Sequence, residues 1–322
     1  MLKFQSNFNI FSILLWPLTL IYILVVRFRQ IIFKPNPLPG FSIIVGNATM
    51  GGGGKTPSAI AIGKILQELA NDYYYFTKGY KGSILGPEIV NLDKHTVEQT
   101  GDESRVLASH AQTIIAKQRH KANDYLNKFN DKIIVLDDGF QNVHLKVNLK
   151  ILVIDENFLF GNNMLLPAGP LRDSLAWHFK EADCLFFIGG SDSEFKLKYR
   201  KYIANTPLFK AKPALIDDID KNKSYLAFSG LANNSKFQNF LRKNNIKIAE
   251  FQAFPDHHKY TKKDLLSIKK FAESKGVDIL TTEKDAVKID SNILTNYSIC
   301  KMQLEFEDKI GLAKFLKMKI KS

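Results

Sequence analysis

The residue types best suited to chemistry lie in one glycine-rich run, Gly46-Asn47-Ala48-Thr49-Met50-Gly51-Gly52-Gly53-Gly54-Lys55-Thr56. Glycines adopt positive φ and let the backbone approach an anion, so successive N–H groups can ring a polyphosphate. In such a loop the Lys55 ammonium reaches the outer phosphates and the Thr56 hydroxyl is a hard ligand for Mg²⁺. The strict pattern asks for Gly six residues before its Lys, where Thr49 stands here. A flexible glycine linker is the bland alternative, disfavoured because an apolar run, the glycines, Lys-Thr and a helical pattern follow in the right order. The candidate phosphate ligands are Thr49, Met50, Gly51, Gly52, Gly53, Gly54, Lys55 and Thr56, and the pattern points to a nucleotide with Mg²⁺.

Carboxylates supply the next candidates. Ile133-Ile134-Val135-Leu136 runs into Asp137-Asp138-Gly139-Phe140-Gln141, which alone reads as a strand-to-turn Asp-Asp-Gly but, with the loop upstream, places two hard oxygen ligands where a metal ion would bridge nucleotide phosphates. Gly101-Asp102-Glu103-Ser104 opens a helical pattern; Asp102 is a helix cap on one reading and a general base for a hydroxyl on the other. Phe254-Pro255-Asp256-His257-His258-Lys259-Tyr260 holds two imidazoles, either exposed or one of them tuning a carboxylate; adjacent His residues make a poor zinc pair. Leu166-Pro167-Ala168-Gly169-Pro170-Leu171-Arg172-Asp173 sets a guanidinium behind a rigid turn, suited to a phosphate. Thr281-Thr282-Glu283-Lys284-Asp285-Ala286-Val287-Lys288 is a charged stretch after a strand, read either as salt-bridged helix-start charges or as the rim of a crevice.

These groups need elements to position them. Apolar runs predict strands at Phe41–Val45, Tyr73–Phe76, Ile133–Leu136, Ile151–Ile154, Cys184–Ile188, Tyr225–Phe228, Ile248–Phe251 and Asp278–Leu280. Helical patterns cover Thr56–Leu69, Asp102–Gln118, Ser235–Lys243 and Thr261–Lys275. Alternating strands and helices imply an α/β fold with mostly parallel sheets, whose ligands gather at the carboxyl ends of the strands. The expectation is a P-loop NTPase-like domain over 36–175 and a second, smaller α/β domain over 176–322.

Residues Ile10 to Val26 carry no charge, and Arg27, Arg29 and Lys34 follow while only Lys3 precedes. Seventeen uncharged residues are at the lower limit for a bilayer core, and Pro17 would bend a helix there. A buried core helix and a cleaved signal peptide compete with the reading preferred here, an uncleaved anchor over 1–35, with the rest of the chain kept on the cytoplasmic side by the positive residues. Lysines alternating with apolar residues over Ala313–Ser322 suit either a membrane surface or a solvated helix face.

Composition narrows the classes. With 322 residues, 45% of them hydrophobic and 24% charged, the chain is globular and about two domains long. A net charge of +13 favours phosphate-bearing partners. Two cysteines exclude a disulfide scaffold and a Cys-based zinc site, and suit a reducing compartment.

Taken in order, G-N-x-T-x-G-G-x-G-K-T, G-D-E, D-D-G-x-Q, P-x-G-x-L-R, D-H and T-E-K-D-A-V-K behind an apolar amino terminus resemble the tetraacyldisaccharide 4'-kinase family of lipid A biosynthesis across nearly the whole chain. The resemblance implies ATP- and Mg²⁺-dependent phosphorylation of the 4'-hydroxyl of a tetraacyl disaccharide 1-phosphate, giving lipid IV(A). It implies action at the cytoplasmic face of the inner membrane, in a site between two α/β domains. By motif it makes Asp102 the base, His257 its partner, Lys55 and Thr56 the loop pair, and Asp137 and Asp138 the metal-side carboxylates. Lys78, Tyr80 and Arg172 then belong to the substrate side. Lys78 replaces the family's usual Arg in Thr77-Lys78-Gly79-Tyr80-Lys81-Gly82, which keeps the charge and loses the bidentate fork. Two rivals remain. The loop is also similar to those of membrane-associated ATPase or GTPase switches, although Met50 replaces their signature Lys. A nucleic-acid-binding protein rests on charge alone, and no nucleic-acid partner is expected; the oligomeric state is not implied.

Overall fold

The computed structural model describes residues 10–51, 53–216 and 219–321. Lys3, within the expected anchor, and Ser322 lie outside them.

A nine-stranded sheet dominates. Across it run Met302–Phe306, Leu208–Leu215, Cys184–Ile188, Leu149–Asp155, Ser42–Asn47, Ile133–Asp137, Tyr73–Thr77, Thr113–Ile115 and Glu88–Ile89. The seven inner strands are parallel and only the two edge strands are antiparallel. Burial on both faces explains why the central strands read as continuous apolar runs. Alternate residues serve opposite cores: Ile43, Val45, Val135 and Val153 pack with Ile62 and Leu66 of the helix Lys55–Glu68. Ile44, Tyr74, Phe76, Ile134 and Leu136 fill a core on the other face, and Leu152, Ile154 and Phe187 join Phe160 and Phe179 in a third cluster.

A four-stranded parallel sheet, in the order Lys247–Ala253, Ser224–Ser229, Asp278–Thr282 and Ser298–Cys300, follows in the chain. Helices Asn234–Lys243 and Lys262–Lys275 flank it, the second held at its start by a reciprocal Thr261–Asp264 capping box.

Three expectations about the elements are corrected. The pattern read as one helix over Asp102–Gln118 is a helix Asp102–Ala108 and then the strand Thr113–Ile115, where the β-branched run Thr113-Ile114-Ile115 wins. The strand ending at Thr282 is followed by two more, Ser298–Cys300 and Met302–Phe306. The change of sheet falls after Leu215, not at 175–176, and the chain returns to the large sheet at Met302, because Met302–Phe306 pairs with Leu208–Leu215. The helix Lys309–Lys321 comes back with it: Leu312 and Leu316 are buried in the large-sheet core, so its apolar face is turned to protein.

The amino-terminal helix spans Ile10–Ile32, longer than the charge-free run because Arg27, Arg29 and Gln30 continue it, with Pro17 inside. It is long and apolar enough to cross a membrane, and most of its large apolar side chains are exposed.

Candidate active site

The strand Ser42–Asn47, between Leu149–Asp155 and Ile133–Asp137, delivers the glycine-rich loop at the carboxyl edge of the large sheet. Gly54 closes the loop at φ 79°, just before the helix that begins at Lys55. Its backbone passes so close to Ile188 that an added Cβ would stand 2.4 Å from Cδ1. Gly52 lies outside the described residues. Lys55 Nζ donates to the carbonyl of Gly51 (3.2 Å) and to Asn47 Oδ1 (3.3 Å), and lies 3.7 Å from Asp138. Thr49 is buried, while Met50 turns its side chain outward and gives its N–H to the carbonyl of Pro170 (2.9 Å).

The two adjacent aspartates have different neighbours. Asp137 Oδ2 accepts from the Thr56 hydroxyl at 2.8 Å, while its Oδ1 is buried without a hydrogen-bond partner. Burial, with the charge of Glu103, pushes the Asp137 carboxyl up to about 7 despite Thr56 and Lys55. A buried carboxylate oxygen lacking a donor, beside a threonine hydroxyl, fits a hard divalent cation. Among the described residues no three His, Cys, Asp or Glu side chains cluster to hold a metal, as befits an ion completed by phosphates and water. Asp138, at φ 61°, turns the other way and meets Arg172 with both oxygens, at 3.1 and 3.5 Å. Burial would raise its pKa, but Lys55, Arg172, the Gly139 N–H and Arg119 outweigh it and hold the carboxyl well below the usual range.

Behind this pair stand residues the motifs did not single out. Arg119 is buried and donates to the backbone carbonyl of Asp138. Gln141 donates to the Asn47 carbonyl (2.7 Å) and meets His178 Nε2 at 2.7 Å. His178 Nδ1 donates to the Ser174 carbonyl at 2.9 Å, and burial lowers its pKa to about 4, so this imidazole is a neutral strut. Gln141 carries a signal in D-D-G-x-Q; Arg119 and His178 carry none.

The second cluster joins the two sheets. Asp102 opens the helix Asp102–Ala108 and is buried at 3% exposure. It does not cap that helix in the ordinary way, although its Oδ1 accepts the N–H of Glu103 at 2.9 Å. Its Oδ2 accepts from His257 Nδ1 at 2.7 Å. His257 reaches it from the small sheet by adopting φ 59°, with its N–H on the carbonyl of Gly230 at 3.2 Å. Gly230 is fixed in turn by Asp285, a fully buried carboxylate that also accepts from Thr282, Tyr260 and Lys288. Lys284 completes the cluster, 3.8 Å from Asp102, 3.6 Å from Glu103 and 3.5 Å from Asp256. Burial opposes charge on Asp102, yet the His257 hydrogen bond and Lys284 outweigh it, and the carboxyl is held below its ordinary value. Burial likewise disfavours the Lys284 cation, but Asp102, Glu103 and Asp256 overcome that and raise its pKa. The charged stretch after Asp278–Thr282 thus faces the crevice with Lys284.

Tyr80 is exposed and its ring lies 5.6 Å from that of His257, while Lys78 is exposed on the same loop. Gly101 lets this loop approach Asp102: at φ 85°, an added Cβ would stand 2.2 Å from the Tyr80 carbonyl oxygen. Arg172 lies on Asp138 at the phosphate-loop end of the site.

Comparison with known proteins sharpens what this geometry can do. Residues 11–321 match the family model described as tetraacyldisaccharide-1-P 4'-kinase. A tetraacyldisaccharide 4'-kinase of Rickettsia bellii is 34% identical over 287 residues, covering 89% of this chain and 88% of its own. That of Rickettsia canadensis is 33% identical over 319 residues, covering 99% and 95%. A crystal structure of LpxK from Aquifex aeolicus in complex with ATP superposes with a TM-score of 0.77 at 27% identity, covering 96% of this chain and 99% of that one.

Proposed function

Because the chain belongs to the tetraacyldisaccharide-1-P 4'-kinase family, we propose that it transfers the γ-phosphoryl group of ATP to the 4'-hydroxyl of a tetraacyl disaccharide 1-phosphate, yielding lipid IV(A). The observation that carries this reading is a phosphate loop and a buried carboxylate–imidazole pair at one crevice. The helix Lys55–Glu68 that follows the loop packs against the helix Asp102–Ala108 that carries the pair's carboxylate.

The main-chain N–H groups of the loop and Lys55 hold the triphosphate, and the positive end of the helix Lys55–Glu68 adds to the field. Thr56 and Asp137 are the residues that would hold Mg²⁺, which offsets charge on the β- and γ-phosphate oxygens. Asp138 is already engaged by Arg172 and Lys55, so it orients cations rather than the metal. Asp102 accepts the proton of the attacking hydroxyl as the new O–P bond forms, the bond to the leaving ADP oxygen breaks and ADP departs. A carboxylate held below its ordinary pKa is a weak base, which suits a loose transition state in which the proton moves late. His257, with Nδ1–H on Asp102, fixes the carboxylate and takes up part of the charge change. Lys78 and Tyr80 beside this pair, and Arg172 at the phosphate end, are assigned to the substrate.

A lipid with four acyl chains remains in the bilayer, so the crevice must come to the membrane surface. The outward apolar side chains of Ile10–Ile32 and the basic residues Arg27, Arg29 and Lys34 support attachment to the cytoplasmic face of the inner membrane. The test is transfer of labelled γ-phosphate from Mg²⁺-ATP to the purified lipid acceptor in micelles. Labelled lipid with wild type but not with Lys55→Ala or Asp102→Ala supports the proposal; free phosphate without labelled lipid replaces it with an ATPase switch.

A further inference from the structure

The helix Ile10–Ile32 is amphipathic in the inverse sense. Leu14, Leu18, Leu24, Phe28 and Ile31 face outward, and its buried residues are Ser12 and Thr19. Five of its polar side chains, Ser12, Thr19, Tyr22, Arg27 and Gln30, contact one segment, 162–173. Ser12 Oγ accepts from Asn162 at 3.0 Å, and Thr19 Oγ1 accepts the Ala168 N–H at 3.3 Å. Tyr22 donates its hydroxyl to the carbonyl of Arg172 at 2.8 Å. Arg27 and Gln30 both donate to Asp173, at 3.0 and 2.8 Å, and Asp173 is only 3% exposed. From Ser12 to Gln30 is about 27 Å of helix at 1.5 Å per residue, so the contact runs along nearly the whole element.

The opposite side of the same segment is the wall of the phosphate loop. The Pro170 carbonyl accepts from Met50, the Arg172 N–H donates to the Ala48 carbonyl at 2.9 Å, and Thr49 bridges Leu171. The Arg172 guanidinium holds Asp138. Residues 164–173 are therefore clamped between the amino-terminal helix and the nucleotide loop.

We propose that the polar stripe of the amino-terminal helix, chiefly Tyr22, Arg27 and Gln30, positions Arg172 and the phosphate loop, so that seating of this helix sets the affinity for ATP. The inference rests on the reading of the loop as the ATP site. Tyr22 fixes the Arg172 carbonyl, and Arg27 with Gln30 fixes the next side chain. Without them Asp173 is a buried carboxylate that has lost two of its donors, and it relieves this by moving toward water. The segment then has to be reordered whenever nucleotide binds, and apparent affinity falls with the fraction of molecules in the competent arrangement. These are positioning residues, since none of them touches the reacting atoms.

The experiment uses the full chain on phosphatidylcholine–phosphatidylglycerol vesicles, titrated with a fluorescent ATP analogue, with vesicle co-sedimentation measured in parallel. The double variant Arg27→Met, Gln30→Leu keeps an apolar helix and is expected to raise the ATP Kd about 10-fold, read at a vesicle concentration at which both it and the wild type co-sediment completely. Tyr22→Phe removes one hydroxyl, with little risk to folding, and is expected to raise it about 3-fold. Arg27→Lys keeps the ion pair and stays near wild type. Leu24→Ser with Ile31→Ser, on the outward face, is expected to weaken co-sedimentation and leave the ATP Kd in place. In steady state at saturating lipid the first two variants raise KM for ATP. Wild-type ATP affinity in both overturns the proposal and leaves the ATP site standing; absence of ATP binding by the wild type removes the reading on which it rests.

Discussion

At the phosphate-loop end, Lys55, Thr56, Asp137 and Asp138 lie at the ends of two adjacent strands of one sheet or just beyond them, whereas at the acceptor end Asp102 opens a helix beside the large sheet and His257 and Lys284 follow strands of the small one. The first arrangement is set by the pairing of Ser42–Asn47 with Ile133–Asp137 and persists as long as that sheet does. The second exists only while the sheets face each other, and its partners come from two loops that Gly230 and Asp285 hold in place. Charge follows the same division. Lys55 and Arg172 keep Asp138 ionised while Asp137, beside it, is pushed toward neutrality; at the other end one imidazole and one ammonium keep Asp102 ionised inside the protein. On the proposed reading, one end holds charge already present on a ligand and the other receives a proton.

The largest effect that tests this division is loss of turnover. Lys55→Ala and Asp102→Ala are each expected to lower kcat by about 10²–10⁴. If Asp102 and His257 act as a unit, the double variant Asp102→Ala, His257→Ala falls little further than Asp102→Ala alone. Lys55→Ala combined with Asp102→Ala should instead multiply, because the two groups share no partner. Rapid-quench turnover at saturating ATP measures all of these, and a multiplicative loss within the Asp102–His257 pair would dissolve the unit.

A smaller effect separates the backbones of the two ends. Gly54 and Gly101 both have positive φ, 79° and 85°, but they meet different neighbours. A Cβ on Gly54 would press on the end of the Ile188 side chain, which can rotate; on Gly101 it would press on the Tyr80 carbonyl, which cannot. Gly54→Ala is expected to cost about 1–2 kcal/mol of stability and Gly101→Ala about 3 kcal/mol or more. Urea unfolding of the two variants decides it, and equal losses would mean that the Tyr80 loop is as yielding as a side chain.

How much of this could be read in advance follows the same line. Gly51 to Thr56 and Asp137-Asp138 are each contiguous in the chain, so the loop alone suggests phosphate chemistry and, with it, the aspartates suggest a metal. Asp102 and His257 are 155 residues apart, and only resemblance to a known family paired them. Lys284 was visible as a charged residue after a strand, yet nothing local distinguishes it from a helix-start salt bridge; its three carboxylates come from two other loops. The strand Met302–Phe306 was missed although Met302, Leu304 and Phe306 alternate with Gln303 and Glu305, a period that marks a half-buried edge. Thr113–Ile115 was absorbed into a helix because Val106 and Leu107 had set a helical period that the turn near Ala111 interrupts. In the amino-terminal run nothing local distinguishes Ser12 and Thr19, and their burial shows which face the protein claims.

The smallest effect bears on Lys284, the member of the acceptor end that touches no reacting atom. Burial opposes charge on Asp102, and its carboxyl is nonetheless held below the ordinary range by the His257 hydrogen bond, then by the charges of Lys284 and Lys288. Replacing Lys284 by Met removes one of those cations, so the folded-state pKa of Asp102 rises. A carboxyl with a depressed pKa lends stability above its unfolded pKa of about 3.9 and loses it as the pH falls through the folded value. In Lys284→Met that loss sets in at higher pH. The acid limb of kcat/KM moves in the same direction, with a loss of about 10-fold at acid pH that shrinks as the pH rises. Lys284→Arg keeps the cation and keeps the limb where it is. A pH profile of the three proteins separates charge from packing: a loss in Lys284→Met that is uniform across pH would show that Lys284 only joins the two sheets and leaves the acidity of Asp102 to His257.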